Sequence, residues 1–442
     1  MIKNSLILLC MGFMLATTSN AQVPITLHQV ADSVLANNYS IRLIRIDAAV
    51  ATEQNTLGAA GYYPSISLNG TQQNSLVNTR QEFFNGDIRS ADGALNQSAS
   101  LGIRLDWTLF QGFYVQSIRD ELQLKEEAAA LQTILTMEAE LYEASRLYYE
   151  IAAREQLFMS LDTVLIYSQL RADLAKKKME LGKTSRLDYL QSLLDLNADS
   201  ARWLQERSML INLKTQLKQK MGASPSISYT LNDTMRALSI FPYEELRANG
   251  MRQNTQLRNS KLQEVLAVNG IRTAKSQRYP SLGLFSEYSF ISSQSAVGIL
   301  KSNQSLGPAA GVGLTYNLFN GSQVNREVAV AKLKREGASI QRENVEYSFE
   351  MELIQAYEEY LLQYRLVEFE QSNVVLAREN VKLAQIQLNA GSINAFQFRD
   401  VQQISIESEG RYANALYNLK RSELELMRLS GGLVNYITQH KD

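Results

Sequence analysis

One cysteine, two histidines and six prolines are all that 442 residues contain of these types, and each shortage closes off a class of protein. The cysteine, Cys10, lies in an N-terminal segment where Lys3 precedes an apolar run from Leu6 to Ala16 and Ser19-Asn20-Ala21 ends the stretch. That is the layout of a secretory signal peptide over residues 1–21, cut after Ala21. About eleven apolar residues are too few to span a bilayer. The run continues past Cys10 through Met11, Phe13, Met14 and Leu15, so lipid attachment at that cysteine is rejected. The mature chain then has no disulfide, no thiolate nucleophile and no cysteine metal site. His28 near the start and His440 near the end stand beside no metal or nucleophile constellation. No catalytic, cofactor or metal site is expected, and no enzyme.

Charge of one sign is also missing. Without Lys3, the 44 basic residues fall to 43 against 45 acidic ones, and no basic patch points to nucleic acid. After the signal, no stretch approaches 18 uninterrupted apolar residues, so no transmembrane helix is expected. An exported chain of this kind is periplasmic, secreted or an outer-membrane β-barrel, whose strands leave no hydropathy peak.

What the chain does have is a second copy of itself. Tyr63-Pro64-Ser65 returns as Tyr279-Pro280-Ser281, 216 residues on. Leu109-Phe110-Gln111-Gly112 returns as Leu318-Phe319-Asn320-Gly321, 209 on, and Gly182 and Gly222 return as Gly391 and Gly431 at the same offset. The seven-residue change in offset is expected to be one shorter loop. Heptad positions share the register: Ala144, Ile151, Phe158, Leu165, Ala172 and Met179 answer to Leu353, Tyr360, Val367, Val374, Val381 and Leu388. Twelve apolar residues at a seven-residue period mark helices packed side by side.

Within one copy, Leu27 to Ala60 reads as a helix. Leu101, Ile103, Leu105, Trp107 and Leu109 then alternate with Gly102, Arg104, Asp106 and Thr108, a strand with one apolar face. Its partner runs from Pro64 through Ile66 and Leu68, and the polar stretch between them reads as a long loop. In the second copy Leu282, Leu284, Tyr288 and Phe290 alternate likewise, with Phe285 the exception, and Val312, Leu314, Tyr316 and Leu318 complete the pair. Each strand is of membrane-crossing length, and Tyr62, Tyr63, Trp107, Tyr279 and Tyr316 stand where an aromatic girdle would lie. Helices of about 105 Å out from Gly112 to Gly182, about 60 Å back to Gly222 and about 54 Å from Tyr243 to Arg278 close the path. A loop with Pro225 and Pro242 sits at the waist. Residues 22–238 form the first repeat, with a β-hairpin over 62–110 and a tip near 182. Residues 239–442 form the second, with a hairpin over 278–319 and a tip near 391.

In this duplicated helix–strand–strand–helix–helix plan, in its Leu-Phe-x-Gly exits and in its two glycine tips, the chain resembles the TolC-like outer-membrane efflux proteins over essentially the whole mature sequence. The resemblance implies a mostly α-helical homotrimer in which four strands per chain build a 12-stranded transmembrane β-barrel in outer-membrane lipid, on a long periplasmic tunnel. It implies an exit duct of a tripartite efflux or type I secretion system, passively conducting substrate from a periplasmic adaptor (membrane fusion protein) and an inner-membrane transporter. The adaptor would dock at tips bearing Gly182, Ser185, Arg186 and Leu187, and Gly391, Ala395 and Phe396. Asp188 and Asp400 match acidic positions at the family's periplasmic aperture. Leu388 and Ile393 depart from the tyrosine and arginine of the family's latch, so closure by that hydrogen-bonded latch is not expected here. The competing reading is a soluble periplasmic coiled-coil adaptor, which would share the helical hairpins but need no strands with an apolar face.

Overall fold

The computed structural model describes residues 23–225, 229–231, 235, 240–297 and 299–439. The signal segment, Cys10 and His440 lie outside them. In chain order the elements are β1 (Val23–Ile25), α1 (Leu27–Asn37), α2 (Tyr39–Gln54), α3 (Leu57–Ala60), β2 (Ser65–Glu82), β3 (Ile88–Gln111), α4 (Tyr114–Glu180) and α5 (Arg186–Met221). Then follow β4 (Tyr229–Leu231), α6 (Tyr243–Gln253), α7 (Thr255–Ser276), β5 (Ser281–Ser295), β6 (Ser302–Thr315), α8 (Gln323–Asn389), α9 (Ala395–Leu429) and α10 (Leu433–Gln439).

The two outbound helices, α4 and α8, are 67 residues each, about 100 Å long. Their heptad positions pack as the period requires. Ala144, Ile151, Ala172, Leu353, Tyr360, Val367 and Val374 are buried, and the other five are half-buried. The helices lie abreast in the order α2, α4, α7, α8 on the sheet side and α5, α4, α9, α8 toward the tips. The densest core is at the waist, where Tyr148, Leu353, Tyr360, Leu419, Leu424 and Leu426 are fully buried. There β1 and β4 pair as a small parallel sheet.

The single helix expected over 27–60 is three helices, and that expected over 243–278 is two. The first break falls at Asn38. Its Oδ1 accepts from the Ile41 N–H at 3.2 Å, capping α2, while its Nδ2 donates to the Lys220 carbonyl at the end of α5 at 2.9 Å. The second falls at Asn254, whose Oδ1 accepts from Leu257 N–H and whose Nδ2 donates to the Leu429 carbonyl at the end of α9, both at 3.0 Å. The side chains are 4% and 7% exposed. Helix ends leave backbone groups without partners, and one buried asparagine satisfies a donor on one helix and an acceptor on the other. Asn254 stands 216 after Asn38 and Leu429 stands 209 after Lys220, the two landmark offsets. Thus α5 continues end to end into α2, and α9 into α7.

Two strand expectations need correction. The polar stretch between the first strands is not a loop. It extends β2 to 18 residues and β3 to 24, and only residues 83–87 turn. An antiparallel ladder is satisfied by the backbone whatever the side chains, and polar residues on both faces leave no alternation to read. The seven-residue difference lies in strand length, since β5 and β6 have 15 and 14 residues. The last strand also stops at Thr315, before Tyr316 and Leu318. Ser281, the first residue of β5, pairs with Thr315, so residues 316–319 have no strand partner among the described residues. At the matching end of β3, Phe110 and Gln111 are held by Leu282 and Ser281.

Candidate functional site

The four long strands form one antiparallel sheet in the order β2-β3-β5-β6. Register assigns every side chain to a face. Ile103 stands opposite Leu68 and Tyr288, Leu101 opposite Phe290, Phe290 opposite Leu306, and Leu284 opposite both Trp107 and Val312. Alternation puts all of these on one face, and most of them are exposed. From Leu101 to Leu109 this apolar face runs about 27 Å along the strand, or about 21 Å of height at the tilt usual in barrels. Trp107 anchors its lower rim by donating from Nε1 to the Tyr62 carbonyl at 2.9 Å.

The other face is polar. Arg104 and Glu287 stand directly opposite one another, and Asp106 stands opposite Phe285. Phe285, the exception in the alternation, lies against Gly311, where a Cβ would come within 2.6 Å of its ring. The Arg104 guanidinium sits 5.6 Å from that ring's centroid.

At the far end each helical hairpin turns the same way. Gly182 and Gly391 adopt φ of +67° and +72°, a left-handed position that glycine takes without strain. Ser185 then caps α5 and Asn394 caps α9, each in a reciprocal capping box with Asp188 or Gln397. Arg186, Leu187 and Phe396 are exposed beyond these caps, and Leu388 and Ile393 are half-buried. Ala395 opens α9. Asp188 has a local task. Its Oδ2 accepts from the Thr184 hydroxyl at 2.7 Å, the Ser185 hydroxyl at 2.8 Å and the Ser185 N–H at 3.2 Å. These bonds, the Thr184 one foremost, hold the carboxyl below the usual aspartate range. Asp400 lies exposed in the second turn of α9.

Above the tips sits an ionic cluster of which the sequence pointed only to Arg399, one of two arginines (with Arg186) open to pairing with an acid in place of the latch. Asp199 of α5 accepts from Ser168 of α4 and from Arg399 of α9, both at 2.5 Å. Arg171 reaches Asp195 at 3.6 Å, and burial, reinforced by the nearby Arg399 charge, lowers its pKa. Asp199 thereby ties both helices of the first hairpin to the second. The weak signal for it was a polar residue, Ser168, at the position three after an apolar heptad site.

Among the described residues no helix is long and apolar enough to cross a membrane. Residues 249–432 match the family described as outer membrane efflux protein. Over 437 residues the chain is 21% identical to Outer membrane protein TolC of Escherichia coli (strain K12), covering 96% of this chain and 85% of that protein. The Campylobacter jejuni CmeC outer membrane channel superposes with a TM-score of 0.78 at 14% identity, over 94% of this chain and 90% of that one. The outer membrane protein VceC from Vibrio cholerae gives 0.71 at 14% identity, over 92% and 96%. A membrane protein from Pseudomonas aeruginosa gives 0.73 at 18%, over 92% and 93%. The TolC-like resemblance therefore holds in a family match, in a curated relative and in the fold: mostly helical, with one antiparallel sheet.

Proposed function

We propose that this TolC-like outer membrane efflux protein is the exit duct of a tripartite efflux or type I secretion system, completed as a homotrimer. The observation that carries the reading is the sheet. Below the irregularity between Val77 and Thr79 its paired strands bear charge on one face only, their other face is an apolar band, and β2 and β6 are left as open edges. Lipid does not tolerate open edges, so the sheet closes with further copies. Two copies would make eight strands, an interior that side chains fill. Three make a 12-stranded barrel with room for water.

The helices point the same way. Tyr39, Leu43, Ile46 and Val50 form an exposed apolar stripe on α2 at one lateral edge, and Leu333, Ile340, Tyr347 and Ile354 form another on α8 at the opposite edge. A ring brings these two stripes together. Gly112 and Gly321 mark the same closure. A Cβ on Gly112 would lie 2.1 Å from the Ser276 carbonyl oxygen, whereas Gly321 faces open space. Ser276 matches Ala60 at the 216 offset, so Ala60 of the next copy is the residue to stand beside Gly321.

In this reading the apolar band sits in outer-membrane lipid, the helices reach through the periplasm, and the tips from Gly182 to Leu187 and from Gly391 to Phe396 receive the adaptor. An inner-membrane pump supplies cargo and energy, and the duct conducts passively. Adaptor binding opens it by favouring a splayed arrangement of the tips. Asp188 and Asp400 ring the aperture, with Asp188 also holding its cap. Sedimentation with outer membranes, heat-modifiable migration on gels and a trimeric mass in detergent are expected, and a soluble monomer would rule the duct out. In planar bilayers Asp188→Ala with Asp400→Ala should raise conductance or weaken cation preference. Unchanged values remove both residues from the aperture.

A further inference from the structure

The charged residues of the barrel wall are few and lie together. Below the irregularity between Val77 and Thr79, over 65–77, 94–111, 281–295 and 302–315, the four strands contain three charged side chains, Arg104, Asp106 and Glu287, while Arg80, Glu82, Arg89 and Asp92 lie above it, toward the β2–β3 turn. Register and alternation put all three on one face and in neighbouring rows. Arg104 donates from Nε to Asp106 Oδ2 at 2.8 Å and from Nη2 to Oδ1 at 2.9 Å. Its approach to Glu287 is only 3.9 Å, from Nη1 to Oε2. The two-pronged pair with Asp106 takes up the guanidinium, and Glu287 is left as the carboxylate in excess. Phe285 and Gly311 give the row a flat bed, so its charges lie along the wall and do not plug the passage.

We infer that Arg104, Asp106 and Glu287 form a ring of net negative charge at the height of the Leu101–Leu109 band, and that this ring gives the barrel its own preference for cations over anions. The inference rests on the duct reading, in which the polar face lines the lumen. Each copy contributes −1, so a trimer carries −3 at one height. Low-dielectric walls focus such a field and concentrate counter-ions. Salt screens it, with a Debye length of about 30 Å at 0.01 M and about 10 Å at 0.1 M. The preference therefore belongs to dilute electrolyte. It is separate from the tips, which lie about 100 Å away along the helices.

The test is reversal potential in planar bilayers across a potassium chloride gradient near 0.01 M, with Asp400→Asn in every protein to remove a tip charge. Glu287→Gln and Asp106→Asn each neutralise the ring, and each should lower the potassium-to-chloride permeability ratio by about twofold. Arg104→Gln takes the ring from −1 to −2 per copy and should raise the ratio. All three effects should fade at about 1 M salt. Order that follows net charge supports the ring. Reversal potentials equal to that of the Asp400→Asn parent in all three variants overturn it, as do shifts of one sign in Arg104→Gln and Glu287→Gln. A trimer that inserts yet conducts nothing, before any of these changes, overturns the duct reading itself and this inference with it.

Discussion

Arg399, five residues into α9, donates from Nη2 to Asp199 Oδ1 on α5 at 2.5 Å, with side chains 15% and 8% exposed. The two residues stand 200 apart in sequence. Their bond joins the second helical hairpin to the first just above the tips, and Ser168 of α4 completes it by donating to Oδ2. Breaking one side of a buried ion pair leaves the other charge uncompensated, at a cost of about 3 kcal/mol. Asp199→Ala would strand Arg399 and leave Arg171 with Asp195 as its acidic neighbour. Amide exchange along the first turns of α9 should accelerate strongly, and channel openings in bilayers should become more frequent. Wild-type exchange in that stretch would show that packing alone holds the hairpins together.

Gly222 and Gly182 share a left-handed backbone, with φ of +61° and +67°, yet their surroundings differ. A Cβ on Gly222 would sit 2.5 Å from the Asn37 carbonyl oxygen, whereas nothing lies within 4 Å of one on Gly182. Gly182→Ala should cost about 1 kcal/mol, the left-handed penalty alone. Gly222→Ala must also push apart the junction between α5 and α2, and should cost several times more. Thermal unfolding of the two variants side by side reads the difference, and equal midpoints would mean that the junction yields without strain.

A second pair of glycines tests ring closure. Gly321 and Gly391 both have positive φ and open space within one chain. If Ala60 of a neighbouring copy stands beside Gly321, Gly321→Ala should impair trimer formation while Gly391→Ala leaves it intact. Trimer yield on native gels decides the matter. Equal yields would place the neighbour elsewhere.

The cap at the first tip should respond to acid. The Asp188 carboxyl is held below its ordinary range by bonds it accepts from Thr184 and Ser185. A depressed pKa means that the cap's contribution is present above the unfolded aspartate value near 4 and is lost as pH falls through the folded value. Pepsin nicking around Leu187 should rise across that acid range in the native protein. Asp188→Asn keeps an acceptor that does not titrate, and its nicking should not show the added rise. Parallel curves for the two proteins would argue against this cap.

Much of the architecture was readable because it is repeated or periodic. Heptad spacing from Ala144 to Met179 and from Leu353 to Leu388 announces two long packed helices. Alternation at Leu101–Leu109 announces a half-apolar strand, and Gly182 and Gly391 announce the turns. Each of these signals is carried by residues a few positions apart, so the sequence alone determined them.

Other features waited on partners far along the chain. Asn38 and Asn254 look like ordinary helical asparagines until the carbonyls of Lys220 and Leu429 arrive to be capped. The polar upper halves of β2 and β3 carry no alternation, and only pairing with each other makes them strands. Arg399 could be named in sequence as an arginine seeking an acid, but Asp199, Arg104 and Glu287 are unremarkable charges there. Folding made them into a clasp and a charged row, because an ion pair or a ladder depends on which backbone lies alongside, and that is settled by packing between segments up to 200 residues apart.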